Sequence, residues 1–246
     1  MTENSRPTPL RRIGEAVLIV ISILLAFAID AGWARLQLRT EEAEALVALD
    51  AEFTANLRQV NAVIDRHVAG LEFARILVEM PADSIVALPQ ATISAIMLAT
   101  ANPASFDPVL GTTAALVGAG KLGVLRDSRL REALTSFENF TTDAADDLAF
   151  MESLALDVWK AQVRLGGPWS DPATEVSLIG AAEGLGFLPL ATAEDLLNVR
   201  ADRGVMGLVG WFHVNAAYYL VELRRIRDHT SIVLELIAES RGGRAF

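Results

Sequence analysis

Ile13-Gly14-Glu15-Ala16-Val17-Leu18-Ile19-Val20-Ile21-Ser22-Ile23-Leu24-Leu25-Ala26-Phe27-Ala28-Ile29-Asp30-Ala31-Gly32-Trp33 is the stretch on which the reading of the whole chain turns. From Ala16 to Ile29 every residue is apolar except Ser22. As an α-helix, residues 13–33 measure about 31 Å at 1.5 Å per residue, close to the roughly 30 Å of a bilayer's hydrocarbon layer. Arg11 and Arg12 precede it, and Trp33 closes it where an indole ring favours the interface. Glu15 and Asp30 lie near its two ends, within reach of headgroup water. The stretch reads as a transmembrane helix.

A secretory signal peptide competes with that reading, because arginines, an apolar run and Ala26-Phe27-Ala28 fit an A-x-A cleavage pattern. No polar region precedes the Ala-x-Ala, and helical periodicity runs on past it, which favours a retained anchor. Direction follows from arginine bias. Arg6, Arg11 and Arg12 flank one side, Arg35 and Arg39 the other. The margin predicts residues 1–12 as a cytoplasmic tail, 13–33 as the span and 34–246 as a helical body outside the cytoplasm.

Glu15, Ser22, Ala26 and Asp30 form a polar and small-residue stripe. Ser22 and Asp30 lie seven and fifteen positions beyond Glu15, about −20° and about 60° around a helix, so the three share a side, with Ala26 between them. Such a stripe within lipid suits contact with a second copy or with another membrane protein. Two carboxylates reaching for the interface are the simpler explanation.

Beyond Trp33, Leu46, Leu49, Phe53, Leu57, Val60, Ile64, Val68 and Leu71 recur every three or four residues. This is an amphipathic helical period, with Glu41, Glu42, Glu44, Asp50, Arg58 and Asp65 expected on other faces. Gly32 and Gly70 are possible breaks, and Met80-Pro81 ends the helix. A short helix is expected from Gln90 to about Ala101, in a region carrying Pro81, Pro89, Pro103 and Pro108. A second long helix should start at Asp127 or Ser128 and stop at Gly166-Gly167-Pro168. Trp169 to Leu190 reads as an irregular loop. Thr192 with Asp195 looks like a helix start, opening a last long helix or helix pair that runs to about Ser240. Within it Val205–Leu223 is apolar enough to suggest a second span. His213, Asn215 and Glu222 argue instead for a core-facing helix, with Gly204, Gly207 and Gly210 allowing a close crossing. The fold class is all-α: an N-terminal transmembrane helix followed by an antiparallel bundle of long helices with short helices and Pro/Gly loops.

Composition narrows function. A net charge of −10 repels phosphate backbones, so nucleic acid is not an expected partner. Cysteine is absent, which removes disulfides, thiolate metal sites and cysteine nucleophiles. Gly118-Ala119-Gly120-Lys121-Leu122-Gly123 matches a dinucleotide fingerprint but lacks the surrounding βα units. Gly118 or Gly120 capping a helix in the left-handed conformation is the plainer account. His213 and His229 are sixteen apart, not metal-ligand spacing, so His67, His213 and His229 read as surface or core-edge residues. Asp146, Asp147 and Glu152 read as a solvated acidic face. No catalytic, cofactor or metal residues emerge, and an enzyme is not favoured.

Gly14 to Ala26, then Ile29-Asp30 and Trp33, resembles a bacterial family whose members begin Gly-Glu-(Ile/Val)-Val-Leu-Ile-Val-Ile-Gly-Ile-Leu-Leu-Ala and which is catalogued as a domain of unknown function. Phe106-Asp107-Pro108, Leu116, Gly120-Lys121-Leu122, Asp127 and Leu130-Arg131 through Leu134 are similar to that family's Phe-x-Pro, Ser-Gly-x-Leu turn and Leu-Arg-x-x-Leu helix. Ser22 replaces the usual glycine, and Ala119 stands where serine is common. The resemblance implies a bacterial single-pass protein with a helical body, and it implies no activity. The expected role is thus an interaction module in the bacterial inner membrane, an accessory subunit or scaffold. A periplasmic ligand-binding or sensory domain is the first alternative. An enzyme using the Trp169–Leu190 loop as a lid is the second.

Overall fold

The computed structural model describes residues 9–167 and 190–242, with side chains from residue 18 onward. Its described residues form seven α-helices, one 3-10 turn and no strand. They are α1 (Pro9–Glu79), α2 (Ala82–Val86), α3 (Gln90–Ala99), α4 (Gly111–Gly118), the 3-10 turn Lys121–Val124, α5 (Ser128–Val163), α6 (Ala193–Ala201) and α7 (Arg203–Gly242). Residues 168–189, which hold most of the loop expected between Trp169 and Leu190, lie outside the described residues.

Helix α1 is 71 residues long and passes through both Gly32 and Gly70, so neither glycine breaks it. A single glycine costs only about 1 kcal/mol of helix propensity, too little to interrupt a helix continued by strong formers on both sides. Residues 18–41 are all exposed, and Glu42 is the first buried residue. Those 24 residues make about 36 Å of helix that is exposed along its whole length. The body therefore begins at Glu42, and residues 34–41 are a stalk between the apolar stretch and the bundle. This is the one helix among the described residues long and apolar enough to cross a membrane.

Three long helices frame the body, with α7 packed along both α5 and α1. Helix α7 runs antiparallel to α1, as Arg241 meets Asp50 while Tyr219 meets His67. It also runs antiparallel to α5, where Glu239 meets Arg129 and His229 meets Ala133. The helices α1 and α5 consequently run parallel, which requires the chain between them to travel the length of the bundle. Phe53 and Phe137 join them through the core, rings edge-on with centroids 4.9 Å apart.

The apolar periods of the sequence become the core. Leu46, Leu49, Phe53, Val60 and Ile64 on α1 are buried, as are Leu130, Leu134, Phe137, Met151 and Val158 on α5. Val68, expected on the same stripe, points outward at 45% exposure. Val205, Val209, Phe212, Ala216, Tyr219, Leu220 and Leu223 line the buried face of α7, so Val205–Leu223 is a core helix of the bundle. Gly207 and Gly210 are not at a crossing: a Cβ added at either would meet no atom within 4 Å.

Local stops and starts follow side-chain chemistry. Asp127 caps α5 by accepting from the Arg129 amide at 2.8 Å. Thr192 and Asp195 form a reciprocal capping box at the start of α6. Gly120 adopts the left-handed conformation at φ 65° between α4 and the 3-10 turn, which a side chain would resist. A helix thus leads into the Gly118–Gly123 stretch, and the stretch itself closes as a tight turn.

Candidate functional site

The return of the chain along α1 is built from buried polar side chains. Glu42 accepts from the Arg126 amide at 2.9 Å and from its Nε at 2.7 Å. Glu52 accepts from the amides of Thr112 and Thr113 and from the Thr113 hydroxyl, at 2.5, 3.1 and 2.6 Å. Its carboxylate therefore sits on the open N-terminus of α4, where unpaired amides and the helix dipole favour an anion. Asn56 donates to the Val109 carbonyl at 2.8 Å and accepts its amide at 2.7 Å. His67 Nε2 donates to the Ala104 carbonyl at 3.0 Å. As α1 partners ascend from 42 to 67, their targets descend from 126 to 104. The segment is thus pinned antiparallel along α1 until α5 can begin beside Glu42. Glu42, expected among the solvated charges of α1, is buried instead, its two oxygens accepting from the Arg126 amide and its guanidinium.

His67 also departs from the surface or core-edge position expected of it. It is buried, its ring edge-on to Tyr219 with centroids 5.2 Å apart. The Tyr219 hydroxyl accepts the Phe106 amide at 3.3 Å, and burial pushes that phenol up to about 12. Burial lowers the His67 imidazole below its usual value, against the smaller opposing pull of the Ala104 carbonyl. A carbonyl can only accept, so Nε2 carries the proton and Nδ1 offers a lone pair in the neutral ring. His229 is held by the Ala133 carbonyl at 2.8 Å and lies against Phe137 and Phe140.

Beside His67 lies a cavity of about 190 Å³ between α1, α3 and α7, with exposed Arg66 and Asn102 in its lining. Phe73, Leu98, Ala95, Phe212 and Ala216 give it apolar walls. His213 stands in this cavity. Both its ring nitrogens are buried and make no hydrogen bond, although the Ala99 carbonyl faces the ring closely enough to pull on its proton. Burial pushes its pKa down to about 4, helped by the neighbouring His67. At neutral pH the ring is uncharged.

Among the described residues no three histidine or carboxylate side chains gather as a metal site. Asp147, read from the sequence as part of a solvated acidic face, is half-buried. Its carboxyl is raised by burial first and then by Glu222, Asp143 and Asp146.

On the exposed part of α1, the Ser22 hydroxyl donates to the Leu18 carbonyl at 2.9 Å, so its proton is used within its own helix. Ala26 and Asp30 lie on the same exposed helix, as does the backbone of Glu15, whose side chain is outside the described residues. A second feature of the surface was not singled out from the sequence. Trp211, Val214, Tyr218 and Val221 point away from the core of α7, between 44% and 66% exposed. Their spacing of three, four and three puts them on one outward row. The signal was in the sequence, but Val205–Leu223 is apolar on every side, so periodicity did not separate the inner face from the outer.

No protein-family model, curated protein or solved structure matches the chain.

Proposed function

We propose that this is a single-pass, membrane-anchored helical module that works by protein contact, as an accessory subunit or scaffold. The observation that carries the reading is the outward row on α7. Trp and Tyr are the residues most often found at the energetic centre of protein interfaces, and contiguous exposed apolar rows mark contact surfaces. Lipid is a poor occupant for this row. Tyr218 neighbours the level of His67, which lies about 50 Å along α1 from Trp33. The partner that covers the row is therefore a protein reaching well clear of the bilayer.

The anchor is part of the same proposal. An uninterrupted helix through Ala26-Phe27-Ala28 supports retention over cleavage, and the apolar exposed surface of residues 18–33 supports insertion in lipid. We assign it to a bacterial inner membrane, N-terminus in the cytoplasm and body in the periplasm, with Ser22, Ala26 and Asp30 available to a second membrane helix. Membership of the family of unknown function belongs to this proposal too, and brings no activity with it.

Purification of the full chain in mild detergent, with identification of what accompanies it, tests the contact reading. A stoichiometric companion, or a defined oligomer, that is lost on Trp211→Ser with Tyr218→Ser is expected. A protein that emerges alone and monomeric from native membranes overturns it. A reporter active only outside the cytoplasm, fused to Phe246, should be active; a stable but silent fusion reverses the orientation.

A further inference from the structure

The cavity beside His67 has a chemistry that the contact reading does not use. Three observations converge on it. It is about 190 Å³, against the roughly 150 Å³ that accommodates benzene, so it holds a molecule slightly larger than one aromatic ring. Its interior is apolar on most sides, with the neutral His213 ring forming part of the wall. Arg66, in its lining, is exposed and makes no ion pair or hydrogen bond with any described residue, which leaves its guanidinium open to an anion.

We propose that the cavity is a binding site for a small organic acid, its carboxylate held by Arg66 at the exposed edge and its apolar ring or branched chain between Phe73, Leu98 and Phe212. A planar guanidinium pairs a carboxylate through two parallel hydrogen bonds. A cationic ligand would face Arg66 with like charge. A fully apolar one would leave the guanidinium unused. Three elements meet here, and one of them is α1, the helix that carries the apolar stretch. A ligand that ties α1 to α3 and α7 would therefore act directly on the rod that enters the membrane. This inference is independent of the α7 row, since a ligand-binding body can be monomeric or assembled.

The test uses the full chain in nanodiscs, titrated calorimetrically with 4-hydroxybenzoate, benzyl alcohol and benzylamine, each against nanodiscs without protein. Saturable one-to-one binding of 4-hydroxybenzoate is expected, at least tenfold tighter than either of the other two. Arg66→Gln should weaken it at least tenfold. Gly70→Leu should abolish it without harm to the fold, because Gly70 lines the cavity and a Cβ there meets nothing within 4 Å. The substitution also removes a glycine from a helix interior, so helicity and thermal midpoint should be equal to or above those of the parent. Absence of saturable binding by all three probes overturns the proposal, leaving a packing gap filled by water. Binding that survives Gly70→Leu overturns the location, and equal binding of benzyl alcohol overturns the organic-acid class.

Discussion

Asn56, fully buried on α1, exchanges two hydrogen bonds with the backbone of Val109, one in each direction, at 2.8 and 2.7 Å. A side-chain amide thus does for Val109 what a neighbouring strand would do in a sheet. The same need explains Glu52 and His67 on either side of it. The segment from Asn102 to Leu110 has no regular structure of its own, so its backbone groups must find partners elsewhere or remain unpaired against the core. Helix α1 supplies those partners, and the parallel course of α1 and α5 depends on them.

Removing a rung should therefore cost more than a surface hydrogen bond. Glu52→Ala strands two amides and a hydroxyl at the start of α4, and we expect a loss of about 2–3 kcal/mol. For a chain of this size that lowers the thermal midpoint by roughly 5–10 °C. Glu52→Gln keeps one acceptor oxygen and should lose less. Equal midpoints for the two variants would mean that the negative charge, rather than hydrogen bonding, is what α4 requires.

The body should be indifferent to its anchor. Residues 18–41 are exposed throughout, so a chain beginning at Leu38 retains the contacts of Glu42 and the core. We expect it to wash off membranes in alkaline carbonate, whereas the full chain stays. Its unfolding midpoint by circular dichroism should match that of the full chain within about 2 °C, at most about 1 kcal/mol for domains of this size. A large drop would show that the exposed helix supports the body after all.

Acid should weaken the fold through its buried histidines. His67 and His213 are lowered from 6.5, the latter to about 4, so between those values the unfolded chain binds protons that the folded one refuses. Stability is then full above about pH 6.5, declines as pH falls, and the His213 contribution to that decline levels off below about 4. Asp147 works in the opposite sense: its raised carboxyl relieves repulsion from Glu222, Asp143 and Asp146 as it takes up a proton. His213→Phe should make the slope of stability with pH shallower between 6 and 4.5, by up to about 1.4 kcal/mol per pH unit. Asp147→Asn should instead add about 0.5 kcal/mol at pH 7. An unchanged slope for His213→Phe would place that ring in contact with water in the folded state.

What the sequence disclosed and what it withheld separate along physical lines. Leu46, Leu49, Phe53, Leu130, Leu134 and Phe137 announced their faces because a helix repeats its core positions every three or four residues. Asp127, Thr192 and Asp195 announced helix starts because capping is a local interaction. Glu42, Glu52, Asn56 and His67 announced nothing. Their partners lie 84, 61, 53 and 37 residues away, and no local pattern distinguishes a carboxylate facing an amide from one facing water. The His213 cavity was hidden for the same reason, since Arg66, Leu98 and His213 meet only once α1, α3 and α7 have packed. The apolar stretch ending at Trp33 and the body as a helical bundle were legible; the surfaces that could meet a partner or ligand were not.

Gly207 and Gly210 provide a test of sign. Glycines in an apolar helix suggest that another helix comes close, and on that reading any Cβ would clash and destabilise. In the fold both face outward, near Trp211 and Val214, and neither has an atom within 4 Å of where a Cβ would stand. A glycine in an unobstructed helix interior is simply a weak helix former, about 1 kcal/mol poorer than alanine. Gly207→Ala and Gly210→Ala should each raise stability by about that amount in the isolated protein, measured by denaturant midpoint in detergent. The two glycines also adjoin the proposed contact row. If a partner approaches the backbone there, the same substitutions that stabilise the isolated chain will weaken the complex. Destabilisation of the isolated protein would contradict the packing of α7 described above.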